Sequence, residues 1–167
     1  MIRVLVVDDS AFMRKMIKDF LEEDKRIEVI ATARNGQDGL DKIQLFNPDV
    51  ITLDVEMPIM NGLEALKQIM RTSPKPVIMV SSTTKEGAEN TVLAMSYGAI
   101  DFIAKPSGAI SLDIHKVRDE LIEKVVQAAS VKLSKLFPND NQTVPNPKPN
   151  PLEKRRQKQL LEKKLLL

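Results

Sequence analysis

The chain has no cysteine, which excludes a disulfide framework, a thiolate metal site and a thiol nucleophile. It has a single histidine, His115, leaving almost no room for a histidine-rich metal centre or Ser-His-Asp hydrolysis. It has no run of 18 apolar residues, so no transmembrane segment is expected. The N-terminus passes from Met1 directly into a short apolar segment, too brief for a signal peptide, and the expected location is the cytoplasm. Nor is there a helix-turn-helix or other recognition module, and specific DNA binding is not expected.

What is present suits one buried domain. The chain has 167 residues, 43% of them hydrophobic and 29% charged, which is ordinary for a globular protein. Its net charge of +2 hides an asymmetry. Residues 1–130 carry 16 Lys/Arg against 20 Asp/Glu, whereas residues 131–167 carry 9 against 3. A single figure for the chain therefore misleads about partners.

Over residues 1–130, short β-branched runs alternate with longer amphipathic ones. Strands are expected at 2–7, 28–33, 50–53, 77–80 and 100–104. Helices are expected after Ser10, which can cap the first, at 36–46, after Asn61-Gly62, at 88–97 with Gly98 just beyond its end, and at 112–129. Five strands alternating with five helices imply an α/β fold, a parallel sheet covered on both faces. Functional groups then lie outside the carboxyl ends of the strands. Asp8, Asp9, Asp54, Ser81 and Lys105 all fall there.

These residue types together describe a phosphoryl pocket. Alone, each has an ordinary role: Asp8-Asp9 before Ser10 can cap a helix, and Lys105 can be a surface lysine. Jointly, three carboxylates would repel one another and raise one another's pKa values unless a hard cation such as Mg²⁺ neutralised them. Lys105 supplies an opposing charge for Asp54, and Ser81 a hydroxyl donor. The backbone carbonyl of Glu56 is a further candidate protein ligand to the metal. A carboxylate nucleophile in such a site forms an aspartyl phosphate.

The segments Val4-Leu-Val-Val-Asp8-Asp9-Ser10, Asp54-Val-Glu-Met-Pro58-Ile-Met-Asn-Gly62, Val80-Ser81-Ser82 and Lys105-Pro106 resemble the response-regulator receiver family of two-component signalling. The resemblance covers residues 1 to about 130. It implies a (βα)5 flavodoxin-like, CheY-like doubly wound sheet of strand order 2-1-3-4-5. It further implies phosphorylation of Asp54 by a histidine kinase, Mg²⁺ (or Mn²⁺) held by Asp8, Asp9 and Asp54, and catalytic support from Ser81 and Lys105. Ser81 and Phe102 would form the switch, the Lys105–Pro106 bond would be cis, and Gly62 would occupy a position of positive φ. Output would pass through the face of the fourth helix, fifth strand and fifth helix.

Within the family the chain is similar to the regulatory domain of chemotaxis protein-glutamate methylesterases, the CheB type, through Asp8-Asp9-Ser10-Ala-Phe-Met-Arg14 and Gly98-Ala-Ile-Asp101-Phe102. No G-x-S-x-G turn is present, and His115 falls on the last receiver helix in an ordinary surface or capping position. No esterase activity is expected from this chain.

Residues 138–151 hold five of the ten prolines and four asparagines, so 131–151 reads as a linker. Residues 152–167 form a basic tract of helix-forming residues. That tail admits three readings: a solvated end, a docking segment for a protein or a second copy, or a contact for an anionic surface. The rival to a phospho-switch is an adaptor of the same fold that works by binding alone through this tail.

Overall fold

In the computed structural model, the described residues are 1–105 and 111–131, with Gln159, Glu162 and Lys163 of the tail. The Lys105–Pro106 bond, the linker and the rest of the tail lie outside them. Five strands, β1 (Ile2–Val7), β2 (Ile27–Ala33), β3 (Val50–Asp54), β4 (Val77–Ser81) and β5 (Asp101–Ala104), alternate with five helices. The helices are α1 (Ala11–Glu22), α2 (Gly36–Phe46), α3 (Gly62–Thr72), α4 (Lys85–Ser96) and α5 (Ser111–Ser130). All strand pairs are parallel and the order is β2-β1-β3-β4-β5. The parallel sheet is the one the sequence pattern predicts, and its doubly wound order is the one the family resemblance implies. Among the described residues no helix is long and apolar enough to cross a membrane.

Strand side chains alternate between faces, so each apolar strand feeds two cores. Val4, Val6, Val50, Ile78, Val80 and Ile103 pack with Ile17 and Leu21 of α1 and Leu121 and Val125 of α5. Leu5, Val7, Ile51, Leu53, Val77 and Met79 pack with Ile43 of α2, Leu66 and Ile69 of α3 and Ala94 of α4. Continuous apolar strands thus reflect burial on both sides. β1 lies between β2 and β3, and the chain winds in opposite directions from it, so the β1/β3 boundary is the point where strand order reverses.

Helix starts are set by side-chain caps. Ser10 accepts from the Met13 amide, Asn35 from Asp38, Asn61 from Glu64 and Thr84 from Gly87. The Thr84 cap starts α4 at Lys85, three residues ahead of the apolar periodicity, which does not register a polar first turn. Gly98 has φ 114° beyond the end of α4, in the region that favours glycine.

Gly62 corrects one expectation. It is absent from the positive-φ positions among the described residues; a Cβ there would lie 2.1 Å from the Asp54 carbonyl oxygen, so close approach demands the glycine. The left-handed residue of this loop is Ile59, at φ 70°, with the Met60 amide donating to the Pro58 carbonyl at 2.8 Å across it. This is a three-residue turn that a β-branched side chain adopts under strain. Two substitutions should therefore move stability in opposite directions. Gly62→Ala is expected to lower it by about 3 kcal/mol, and Ile59→Gly to raise it by about 1 kcal/mol. Urea midpoints of the two variants check both signs.

Candidate functional site

The carboxyl ends of β1 and β3 bring Asp8 and Asp54 together at the reversal point, with Asp9 beside them. One carboxylate oxygen from each lies within 4.8 Å of the others. Asp54 is 0% exposed and Asp8 1%, whereas Asp9 is open to solvent. Asp8, Asp54 and Lys105 continue the side-chain parity of Val4, Val50 and Ile103, the residues of the α1/α5 core. Ser81 continues that of Val77 and Met79, and so approaches from the α4 side.

Each contact constrains one oxygen of each buried carboxylate. Asp54 Oδ1 receives Lys105 Nζ at 2.8 Å and the Glu56 amide at 3.2 Å. Asp8 Oδ1 accepts from the Ser10 amide at 2.9 Å, while Arg14 donates to the Asp8 carbonyl at 2.8 Å. Asp8 Oδ2 and Asp54 Oδ2 are buried and have no hydrogen-bond partner. Two orphaned anionic oxygens beside a third carboxylate are a donor set for a hard divalent cation, and the residues fit one.

The electrostatics agree. Burial raises the Asp54 pKa to about 7, with the charge of Asp8 adding to it and the Lys105 ammonium only partly opposing. Burial likewise raises Asp8, against the Ser10 amide and Lys105. Burial alone would lower Lys105, but its hydrogen bond and charge contact with Asp54 more than offset this and its pKa is raised. One cation does not balance three carboxylates.

Ser81 is buried, and its hydroxyl lies 3.0 Å from that of Thr91 on α4. Ser82 donates to the Glu56 carboxylate at 2.9 Å, which turns that side chain toward the β4–α4 loop. Phe102 is 45% exposed on β5. Lys124 of α5 sits 5.2 Å from its ring centroid and donates to its carbonyl at 2.5 Å. Between Ser81 and Phe102 lies a cavity of about 380 Å³, lined by these two, Ala88, Thr91, Val92 and Met95 among others. The structure thus gathers Asp8, Asp9, Asp54 and Lys105 at one point, places Ser81 and Phe102 on that cavity, and leaves His115 exposed on α5. Sequence reasoning missed Arg14, Thr91 and Lys124. Arg14 and Lys124 read as surface cations on helices, and nothing in the chain marks Thr91 as buried.

The raised Asp54 pKa has a measurable sign. A folded-state pKa above the unfolded value of 3.8 gives stability that is fully present below that value and lost as pH rises through about 7. In chelator-treated protein, Asp54→Asn should raise the urea midpoint at pH 8 and change it little at pH 4. Adding a divalent cation should stabilise the wild type at pH 8 and leave Asp54→Asn nearly unmoved.

Comparison with known proteins agrees with this geometry. Residues 4–115 match the family model described as the response regulator receiver domain. The chain is 66% identical over 135 residues to a protein-glutamate methylesterase/protein-glutamine glutaminase of Geobacillus kaustophilus, covering 81% of this chain and 39% of that protein. The counterpart in Bacillus subtilis is 63% identical over 128 residues, 77% of this chain and 36% of that protein. The chain therefore spans less than two-fifths of these curated relatives. Among solved structures, the response regulator domain of Thermotoga maritima CheB superposes with a TM-score of 0.72 at 52% identity, covering 79% of this chain and 98% of that one. A chain of the CheX-CheY-BeF3-Mg²⁺ complex from Borrelia burgdorferi superposes with a TM-score of 0.64 at 30% identity, covering 78% of this chain and 90% of that one. The acidic cluster is of the kind that serves as a phosphoacceptor site in two-component phosphorelay signalling. The chain belongs to the response-regulator receiver domain family, and it corresponds to the receiver domain of CheB-type proteins rather than to their methylesterase domain.

Proposed function

We propose that Asp54 accepts a phosphoryl group from the phosphohistidine of a histidine kinase, and that the chain acts as the phospho-switch of a chemotaxis-type pathway. One observation carries this reading: two buried carboxylates, each with an orphaned oxygen, share a site with a lysine bonded to the one proposed to react. An Asp54 oxygen attacks phosphorus, the phosphorus–nitrogen bond breaks, and the imidazole leaves with the electron pair. The burial that raises the Asp54 pKa leaves its carboxylate poorly solvated, and Lys105 orients it and partly opposes that shift. Once the phosphoryl group is in place, Lys105 is free to pair with one of its oxygens.

Asp8, Asp9, Asp54 and the Glu56 carbonyl would hold Mg²⁺, with Mn²⁺ as an alternative. Such an ion would supply neutralising charge to the transferring group. The Borrelia relative, whose complex contains BeF3 and Mg²⁺, supports that assignment. Ser81 would donate to a phosphoryl oxygen, drawing the β4–α4 loop inward. Phe102 would turn from solvent into the adjoining cavity, altering the exposed surface of Val92, Met95 and Phe102 on the α4–β5–α5 face. A partner reads that face, as a population shift set by local charge. The domain itself would be residues 1–130, working in the cytoplasm, with 131–151 as linker and 152–167 as a basic tail able to dock on a protein or anionic surface.

The test is intact mass after incubation with Mg²⁺ and a small phosphoryl donor such as acetyl phosphate. The wild type should gain one phosphoryl group, and Asp54→Ala none. Asp8→Asn should slow the gain about 100-fold, because the metal loses a carboxylate. A wild type that gains nothing under rapid quenching would overturn the reading.

A further inference from the structure

Phe102 is 45% exposed although a cavity of about 380 Å³ opens beside it. Ala88, Val92, Met95 and Ala104 line that cavity together with Ser81 and Thr91. Burying a phenyl ring among such side chains is favourable, so a ring left outside needs something to hold it there. The structure supplies a candidate. Lys124 Nζ lies over the Phe102 ring, 5.2 Å from its centroid, within the range at which an ammonium is attracted to an aromatic face.

Lys124 belongs to α5, which packs on the opposite face of the sheet from α4. It meets Phe102 because β5 is the last strand of the sheet, and among the described residues no further strand covers its outer edge. An ammonium has three donors, and three acceptors stand around this one. Lys124 donates to the Phe102 carbonyl and to Glu120 Oε1 at 3.0 Å, and lies 3.3 Å from Asp101 Oδ1. These acceptors are a β5 backbone carbonyl and carboxylates of β5 and α5, so none depends on where the Phe102 ring points. Burial would lower the Lys124 pKa, but its hydrogen bond with Glu120 and the charge of Asp101 more than offset this, and the group is charged at neutral pH. Of the four contacts, only the one with the ring is lost when Phe102 rotates inward.

We infer that Lys124 is a positioning residue of the switch: its ammonium over the Phe102 ring holds that ring outside the cavity, and the phosphorylated state gives up this contact. The lysine is anchored to β5 and α5 alike, so it stays in place when the ring leaves. The contact therefore weighs on the resting side only, and it sets how strong a bias from Asp54 the switch needs. The inference rests on the phosphoacceptor reading above, with Phe102 as its switch, and names what opposes the change.

Lys124→Met keeps most of the aliphatic stem and removes the ammonium. It should tighten binding of beryllofluoride with Mg²⁺ about threefold, the worth of one exposed cation–π contact, as read by fluorine NMR titration. Lys124→Arg, whose guanidinium also stacks on aromatic faces, should return the affinity to the wild-type value. In a Phe102→Leu background, Lys124→Met should leave the affinity unchanged, because no ring remains to be held; a merely structural anchor would act there too. Lys124→Gln, which keeps a donor for the Phe102 carbonyl, serves the same comparison if Lys124→Met does not fold. Unchanged or weaker binding by the variant lacking the ammonium, failure of Lys124→Arg to restore the affinity, or a shift that persists in Phe102→Leu would each overturn the inference. A wild type that takes up no beryllofluoride would instead overturn the phosphoacceptor reading, and this latch with it.

Discussion

Three carboxylates at the reversal point of a parallel sheet, answered by one lysine, set the terms for the rest of the molecule. The sheet buries Asp8 and Asp54 almost completely, and burial is what makes their mutual repulsion expensive. Lys105 and two backbone amides satisfy one oxygen of each and leave the other without a partner. A fold optimised for stability alone would place a neutral side chain at position 54. The local strain of the Ile59 turn, in the loop that leaves Asp54, belongs to the same pattern of stability given up around the site.

The scaffold absorbs that cost through its cores. Alternation along five strands fills both sheet faces with aliphatic side chains, and the helices close them with buried Leu21, Leu66, Leu121 and Val125. Capping by Ser10, Asn35, Asn61 and Thr84 satisfies helix amides at the end of the sheet where the site lies. The loops there are consequently held at both ends, and the pocket residues stand on rigid supports.

Most of this was legible in the sequence, and the exceptions are instructive. Strand ends are marked by a change from apolar to charged residues, so Asp8, Asp54 and Lys105 could be placed from the sequence. The start of α4 could not, because Lys85 and Glu86 carry no apolar periodicity and the cap alone defines it. Gly62 was recognisable as required but for the wrong reason, since a clash with a backbone oxygen leaves no trace in local sequence. Thr91 looks like any threonine in a helix. Its meaning depends on a hydroxyl ten residues away in sequence and 3.0 Å away in space.

The opposite parities of Ser81 and the charged residues have a broader consequence. Asp8, Asp54 and Lys105 continue the face packed by α1 and α5, and Ser81 the face packed by α2, α3 and α4. The sheet works as a partition, with the carboxylates proposed to react rooted in one compartment and the hydroxyl proposed to sense them rooted in the other. Substitutions packed beneath the first compartment would tune how fast the site reacts, and those beneath the second how strongly the surface answers. Two traits of one small domain can in this way be inherited and altered separately.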